Sequence, residues 1–232
     1  MTTFQEKTLT CPVCSSDVRA FEITSTNQMG QDTDFCPRTA GFHAVPLVIS
    51  ACRSCGYAGY ASVFEERELS SDQKAAFHEA RIPDVLIPLE ARLNDIRSDH
   101  AYLLAAATAR HFREPYEDVA NLLLRASWCL RIDGRSGDAV AAHKYRSEAI
   151  SEFIRAFDVP DAEPEHRRAW TYFVAELSRR EGDFPAAAVW FSRFIDDPPA
   201  EREWVEAAKT LLSRANAGDA SNLGFEDLGN RA

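Results

Sequence analysis

The sequence predicts an α+β protein that is mostly α, with a small N-terminal β zinc ribbon followed by an antiparallel helical repeat array. Three observations carry this. Two C-x-x-C hooks, Cys11-Pro12-Val13-Cys14 and Cys52-Arg53-Ser54-Cys55, lie in the first quarter of the 232 residues. Runs rich in β-branched and aromatic residues adjoin both hooks. From about Leu69 the apolar residues recur at helical spacing, and they continue so to about Arg214.

Two cysteines separated by two residues can turn toward one ion. Two such hooks supply the four thiolates of a closed tetrahedral site, at about 2.3 Å each, with no position left for a substrate. Cys11, Cys14, Cys52 and Cys55 are therefore the expected ligands of a structural Zn2+, with iron as the alternative that four thiolates also accept. Gly56 suits the backward bend of a knuckle, because glycine tolerates positive φ. The stretch from Ser15 to Ala51 exceeds the usual ribbon spacing of about 15–20 residues, which predicts additional structure within it. Cys36 and His43 are also ligand types, but four hook thiols already saturate the ion.

Strands are expected over 17–24 and 45–51, each beside a hook, and a third over 57–64. Between the first two lies the polar segment 27–37. Its Asp32 and Asp34 read first as a solvated turn, since Asp favours turns through local hydrogen bonds. The other reading is that these alternate carboxylates bind a cation or pair with arginines. The ribbon is expected to end near residue 68.

In the helical half, Ser70-Ser71-Asp72 predicts a capped start over 73–78. Leu86, Leu89, Leu93 and Ile96 recur at helical spacing, followed by Tyr102, Leu103, Ala106 and Ala107. Val119 to Leu130 forms the next stripe, stopped at Asp133-Gly134, and Ala142 to Phe157 another. Trp170, Phe173, Val174 and Leu177 then lead through Gly182-Asp183-Phe184 into Ala187, Phe191 and Phe194, ending at Pro198-Pro199. Trp204 to Leu212 closes the half at about residue 214, and 215–232 is expected to be a disordered tail.

Composition narrows the function classes. Net charge is −10, and residues 1–68 hold five Lys/Arg against eight Asp/Glu. Nucleic-acid binding is disfavoured, because Lys and Arg contacts to phosphate supply most of that affinity. The N-terminus has no basic region followed by an apolar run, and no apolar stretch reaches the roughly 20 residues of a membrane span. Paired C-x-x-C hooks with two single thiols, Cys36 and Cys129, suit metal binding in a reducing cytoplasm better than a disulfide framework.

The segment 165–199 resembles a tetratricopeptide repeat. Ala175, Gly182, Phe184, Ala187, Phe191 and Pro199 occupy the small, turn, aromatic and closing places of that span of about 34 residues. The similar Ala126-Ser127-Trp128 lies 49 residues before Ala175, so the tetratricopeptide-like array is expected to be irregular. The whole chain resembles a bacterial family known as domain of unknown function 2225. The resemblance rests on both hooks, Asp32-Thr33-Asp34-Phe35, Gly56-Tyr57-Ala58, Leu124-Arg125-Ala126-Ser127-Trp128 and the Gly182-Asp183-Phe184 turn. It implies a cysteine-hook unit joined to tetratricopeptide-like helices, and it implies no activity.

The expected function is a zinc-binding scaffold or adaptor whose helical surface meets a protein or peptide. The alternatives are a metal-dependent enzyme or a rubredoxin-like electron carrier. His100, His111, His143, Glu114 and Glu117 are the enzyme candidates, but no H-E-x-x-H, phosphate loop or nucleophile elbow joins them. Redox cycling of the hooks is disfavoured, since no thioredoxin-like β-α context surrounds them. Trp170, Trp190, Trp204 and Phe191 are expected to be core.

Overall fold

The computed structural model describes residues 3–87, 96–134, 138–197 and 201–228. It is mostly helical, with short antiparallel strand pairs near the N-terminus. Two compact units divide it: 1–27 with 40–142, and 28–39 with 143–232.

In the first unit β1 (Thr3–Thr10) and β2 (Asp17–Ser25) pair antiparallel with Leu9 opposite Val18, so the first hook is the hairpin turn between them. After β3 (Gln28–Gln31) and β4 (Pro37–Thr39), which belong to the other unit, short strands flank the second hook, β5 (Ile49–Ala51) and β6 (Ala58–Tyr60). Four of the unit's helices follow at once: α1 (Ala61–Glu66), α2 (Ser71–Glu79), α3 (Ile82–Leu86) and α4 (Ser98–His111). After them comes α5 (Tyr116–Ile132), which packs along α4. A capped start is present as the sequence predicts, in the form of a reciprocal capping box between the Ser70 hydroxyl and the Gln73 side chain at α2. Behind the second hook, Tyr57 is fully buried, with the rings of Phe64 at 5.0 Å and Phe77 at 5.6 Å. Phe112 stacks on Phe77 at 5.8 Å. This aromatic cluster is continuous with Cys11, Cys52 and Cys55.

Three expectations for this unit change: β1 is an added strand, and the strands expected over 45–51 and 57–64 are each cut to three residues. Strand β1 was not anticipated; it is largely exposed, and of its side chains Leu9 is buried. Residues 57–64 do not extend one strand: pairing stops at Tyr60 and the chain turns into α1. The cause lies across the ladder, where Val45–Leu47 forms a 3-10 turn containing Pro46, leaving β5 only three residues to pair. Leu89 and Leu93 lie outside the described residues, as do Arg135-Ser136-Gly137 and Pro198-Pro199.

The second unit contains β3 (Gln28–Gln31) and β4 (Pro37–Thr39), an antiparallel pair. Its helices are most of α6 (Ala139–Phe157), then α7 (Pro164–Arg180), α8 (Phe184–Asp196) and α9 (Arg202–Asn216). Between α7 and α8 the turn needs Gly182 at φ 78°, and the Asp183 carboxylate accepts a hydrogen bond from the Ala186 N–H to cap α8. The core joins Tyr172, Phe191, Phe194, Ala208 and Leu211. Phe35, at φ 67°, inserts its ring among Tyr172, Phe173, Trp204 and Phe225, with centroids 5.3 to 5.6 Å away.

The expected disordered tail is also corrected. Residues after Asn216 run into a 3-10 turn, Phe225–Leu228, with Leu228 buried, and Asp32 forms a β-bridge to Gly224. Residues 229–232 lie outside the described set. Among the described residues no helix is long and apolar enough to cross a membrane.

Candidate metal centre

The two hooks fold alike. In the first, the Cys11 N–H donates to the Ser16 carbonyl at 2.9 Å and the Ser15 N–H to the Cys11 carbonyl at 2.9 Å. In the second, the Cys52 N–H donates to the Tyr57 carbonyl and the Gly56 N–H to the Cys52 carbonyl, both at 2.8 Å. Ser15 and Gly56 are equivalent, with φ at 61° and 77°. At Gly56 a Cβ would also meet Pro83 at 2.6 Å, so glycine is required there twice over.

This folding brings the four Sγ atoms within 4.8 Å of one another, and no other group of His, Cys, Asp or Glu among the described residues is so placed. Cys11 and Cys55 approach to 3.5 Å, as do Cys14 and Cys52. A disulfide needs about 2.05 Å, whereas four thiolates around one ion at about 2.3 Å lie roughly 3.8 Å apart. The cluster fits a metal ion. Cys11, Cys52 and Cys55 are buried and Cys14 is half-buried.

Backbone amides aim at the sulfurs, those of Val13 and Cys14 at Cys11, that of Cys55 at Cys52 and that of Tyr57 at Cys55. Amide donors favour the ionised thiol. Hydrogen bonds from Cys11 and Cys55 hold Cys52 far below the ordinary thiol range. The hydrogen bond it shares with Cys52, together with burial, pushes Cys11 up, and hydrogen bonds shared with Cys11 and Cys52, together with burial, push Cys55 up. Ionising all four thiols at this spacing would call for a cation among them.

Asp32 and Asp34 are not a solvated turn. Both are buried, and the sequence alternative of pairing with arginines is what occurs. Asp34 accepts from Arg180 at 2.9 Å, and Asp32 accepts from Arg38 at 2.6 Å and from the Asn222 amide at 3.0 Å. Around Asp34 lies a network that the sequence analysis did not single out. Glu176 and Arg179, both fully buried, form a two-pronged pair at 2.8 Å; Arg180 adds a third bond to Glu176, and Thr33 donates to it as well. Two carboxylates meet two guanidinia, which leaves no charge for a cation to balance. The signal was Glu176-x-x-Arg179-Arg180, an i, i+3, i+4 set within a helix that also carries the apolar stripe.

The enzyme candidates do not converge. His111 stacks edge-on against Phe77 and Phe112, and Glu114 pairs with Arg67. In the other unit His143 pairs with Glu181. Trp170 and Phe191 are buried, as expected of core aromatics, while Trp190 and Trp204 are half-buried against it.

A family described as an uncharacterized protein conserved in bacteria, domain of unknown function 2225, matches residues 4–215. The chain belongs to that family. No curated protein and no solved structure matches this member of domain of unknown function 2225.

Proposed function

We propose that this protein is a cytoplasmic zinc-binding scaffold or adaptor, with a structural four-cysteine zinc site in the first unit and a tetratricopeptide-like interaction surface on the helices of the second. The observation that carries the reading is the convergence of four sulfurs from two matched knuckles. All four ligand positions come from the chain, which suits a structural ion rather than a catalytic one. The α7–α8 pair, joined by the Gly182-Asp183 turn, supports the helical-repeat part. The partner is a protein or peptide, and the net charge of −10 favours a basic one.

The test is elemental analysis of protein purified without added metal, beside a Cys52→Ser, Cys55→Ser variant. One zinc per chain, lost in the variant together with folding of the strands, is the expected result. Iron with visible colour would replace this reading by electron transfer. A metal retained by the variant would overturn the four-cysteine assignment.

A further inference from the structure

The four hook sulfurs differ in access. Cys11, Cys52 and Cys55 are buried, whereas Cys14 is half-buried and its thiol donates to the half-buried Ser16 hydroxyl at 3.4 Å. Two approaches of 3.5 Å run between the hooks, Cys11 to Cys55 and Cys14 to Cys52. Each sulfur takes part in one of them, so two bonds between the hooks can form together. A disulfide of about 2.05 Å asks each pair to close by roughly 1.5 Å.

The hooks also belong to different hairpins. The first is the turn between β1 and β2, and the second joins β5 to β6. A bond inside either hook leaves these hairpins separate, but Cys14–Cys52 and Cys11–Cys55 tie positions 38 and 44 residues apart. Cross-links that close long loops restrain the unfolded chain most. The single thiols Cys36 and Cys129 are buried and do not compete for an oxidant.

We propose that the four-cysteine site is an oxidation switch in which a hydroperoxide replaces the ion by two disulfides between the hooks, Cys14–Cys52 first and Cys11–Cys55 second. The accessible Cys14 thiolate attacks hydrogen peroxide, and the O–O bond breaks to give a sulfenic acid and, with one proton from solvent, water. The Cys52 thiolate then attacks the Cys14 sulfur, the S–S bond forms, and the sulfenic oxygen leaves as water with a second proton. Two thiolates lose two electrons and one peroxide gains them. Cys11 and Cys55 react likewise with a second peroxide. The ion is released to solution, while the new bonds keep the two hairpins joined. This rests on the four-cysteine metal reading, and it differs from redox cycling within one hook.

The test uses the full, unmutated chain, with its metal counted before any oxidant is added, so that failure of the metal reading shows at that stage. Hydrogen peroxide is then titrated in, while released metal is read with a chromophoric chelator and cysteine modification by peptide mass mapping. With dimedone present the first adduct is expected on Cys14. Without it, Cys14–Cys52 and Cys11–Cys55 are expected, with release complete at about two peroxides per chain. Hydrogen exchange then compares the loaded, the chelator-stripped and the oxidised forms. Protection of β1, β2, β5 and β6 should be lost in the stripped form and kept in the oxidised one. Disulfides within a hook, a first adduct on Cys11, Cys52 or Cys55, or an oxidised form as open as the stripped one would overturn the proposal. Metal retained under excess peroxide would overturn it as well.

Discussion

In the first unit four thiols converge on a centre that the polypeptide does not fill, whereas in the second two carboxylates and two guanidinia converge and complete one another. Both clusters are buried polar chemistry close to a hydrophobic core, so each is costly if left incomplete. The first is suited to hold an ion taken from solution, and the second is completed by residues far apart in the chain. Conditions that strip metal and substitutions that strip charge therefore act on different halves of the molecule.

The largest expected effect follows from emptying the metal centre. Cys52→Ser with Cys55→Ser removes coupling between folding and zinc that is worth on the order of 10 kcal/mol in small zinc domains. Hydrogen exchange should lose protection across β1, β2, β5 and β6 while α7 to α9 keep theirs. Equal loss in both units would break the contrast.

Next comes Arg179→Met, which leaves Glu176 buried with half of its hydrogen bonds. Removing one side of a buried pair costs about 3–5 kcal/mol. Arg179 also donates to the carbonyls of Asp219 and Ser221, at 2.6 and 2.9 Å, so the substitution should loosen residues 219–228 as well. Urea denaturation of the second unit measures the first effect and exchange over 219–228 the second. An unchanged midpoint would show that the network is dispensable.

Within the metal centre the two knuckles offer a finer comparison. Gly56→Ala introduces left-handed strain and a clash with Pro83, which should cost about 2 kcal/mol, whereas Ser15→Gly relieves strain at the equivalent place and should gain up to about 1 kcal/mol. Competition with a chromophoric chelator reads both through metal affinity. Effects of the same sign would mean that the knuckles are not equivalent.

The smallest effect concerns Asp219, whose carboxyl is held below its ordinary range by hydrogen bonds from Ser221 and by Arg179 and Arg214. A depressed folded-state pKa contributes stability that is present above the unfolded value of about 3.9 and is lost as pH falls through the folded value. Asp219→Asn should cost less than about 1 kcal/mol at neutral pH, since the group is partly exposed, and should flatten the acid limb of the second unit. An acid limb unaltered by the substitution would remove Asp219 from the account.

What could be read from sequence was local. The hooks are defined by spacings of two residues, and the Ser70 cap, the Gly134 stop and the Gly182-Asp183 turn by neighbours within one helical turn. What could not be read was pairing at a distance. Whether Asp34 faces water or an arginine is decided 146 positions later by Arg180, and the Thr33 N–H meets a carbonyl at Leu223. Strand β1 escaped for another reason. With only Leu9 buried, it offers no alternating pattern, and its place is fixed by the hairpin at the first hook.

Segment 28–39 has a consequence for how the protein is made. It leaves the ribosome among the first forty residues, yet its partners in the second unit extend 190 positions further, to Asn222 and Leu223. At roughly 5–20 residues per second, the wait is about 10–40 s. For most of that interval Phe35 has no aromatic pocket and Asp34 lacks Arg180, while both cysteine hooks have already been synthesised. The N-terminal strands can thus close around a loop whose destination does not yet exist, and the second unit can assemble only after nearly the whole chain has been synthesised.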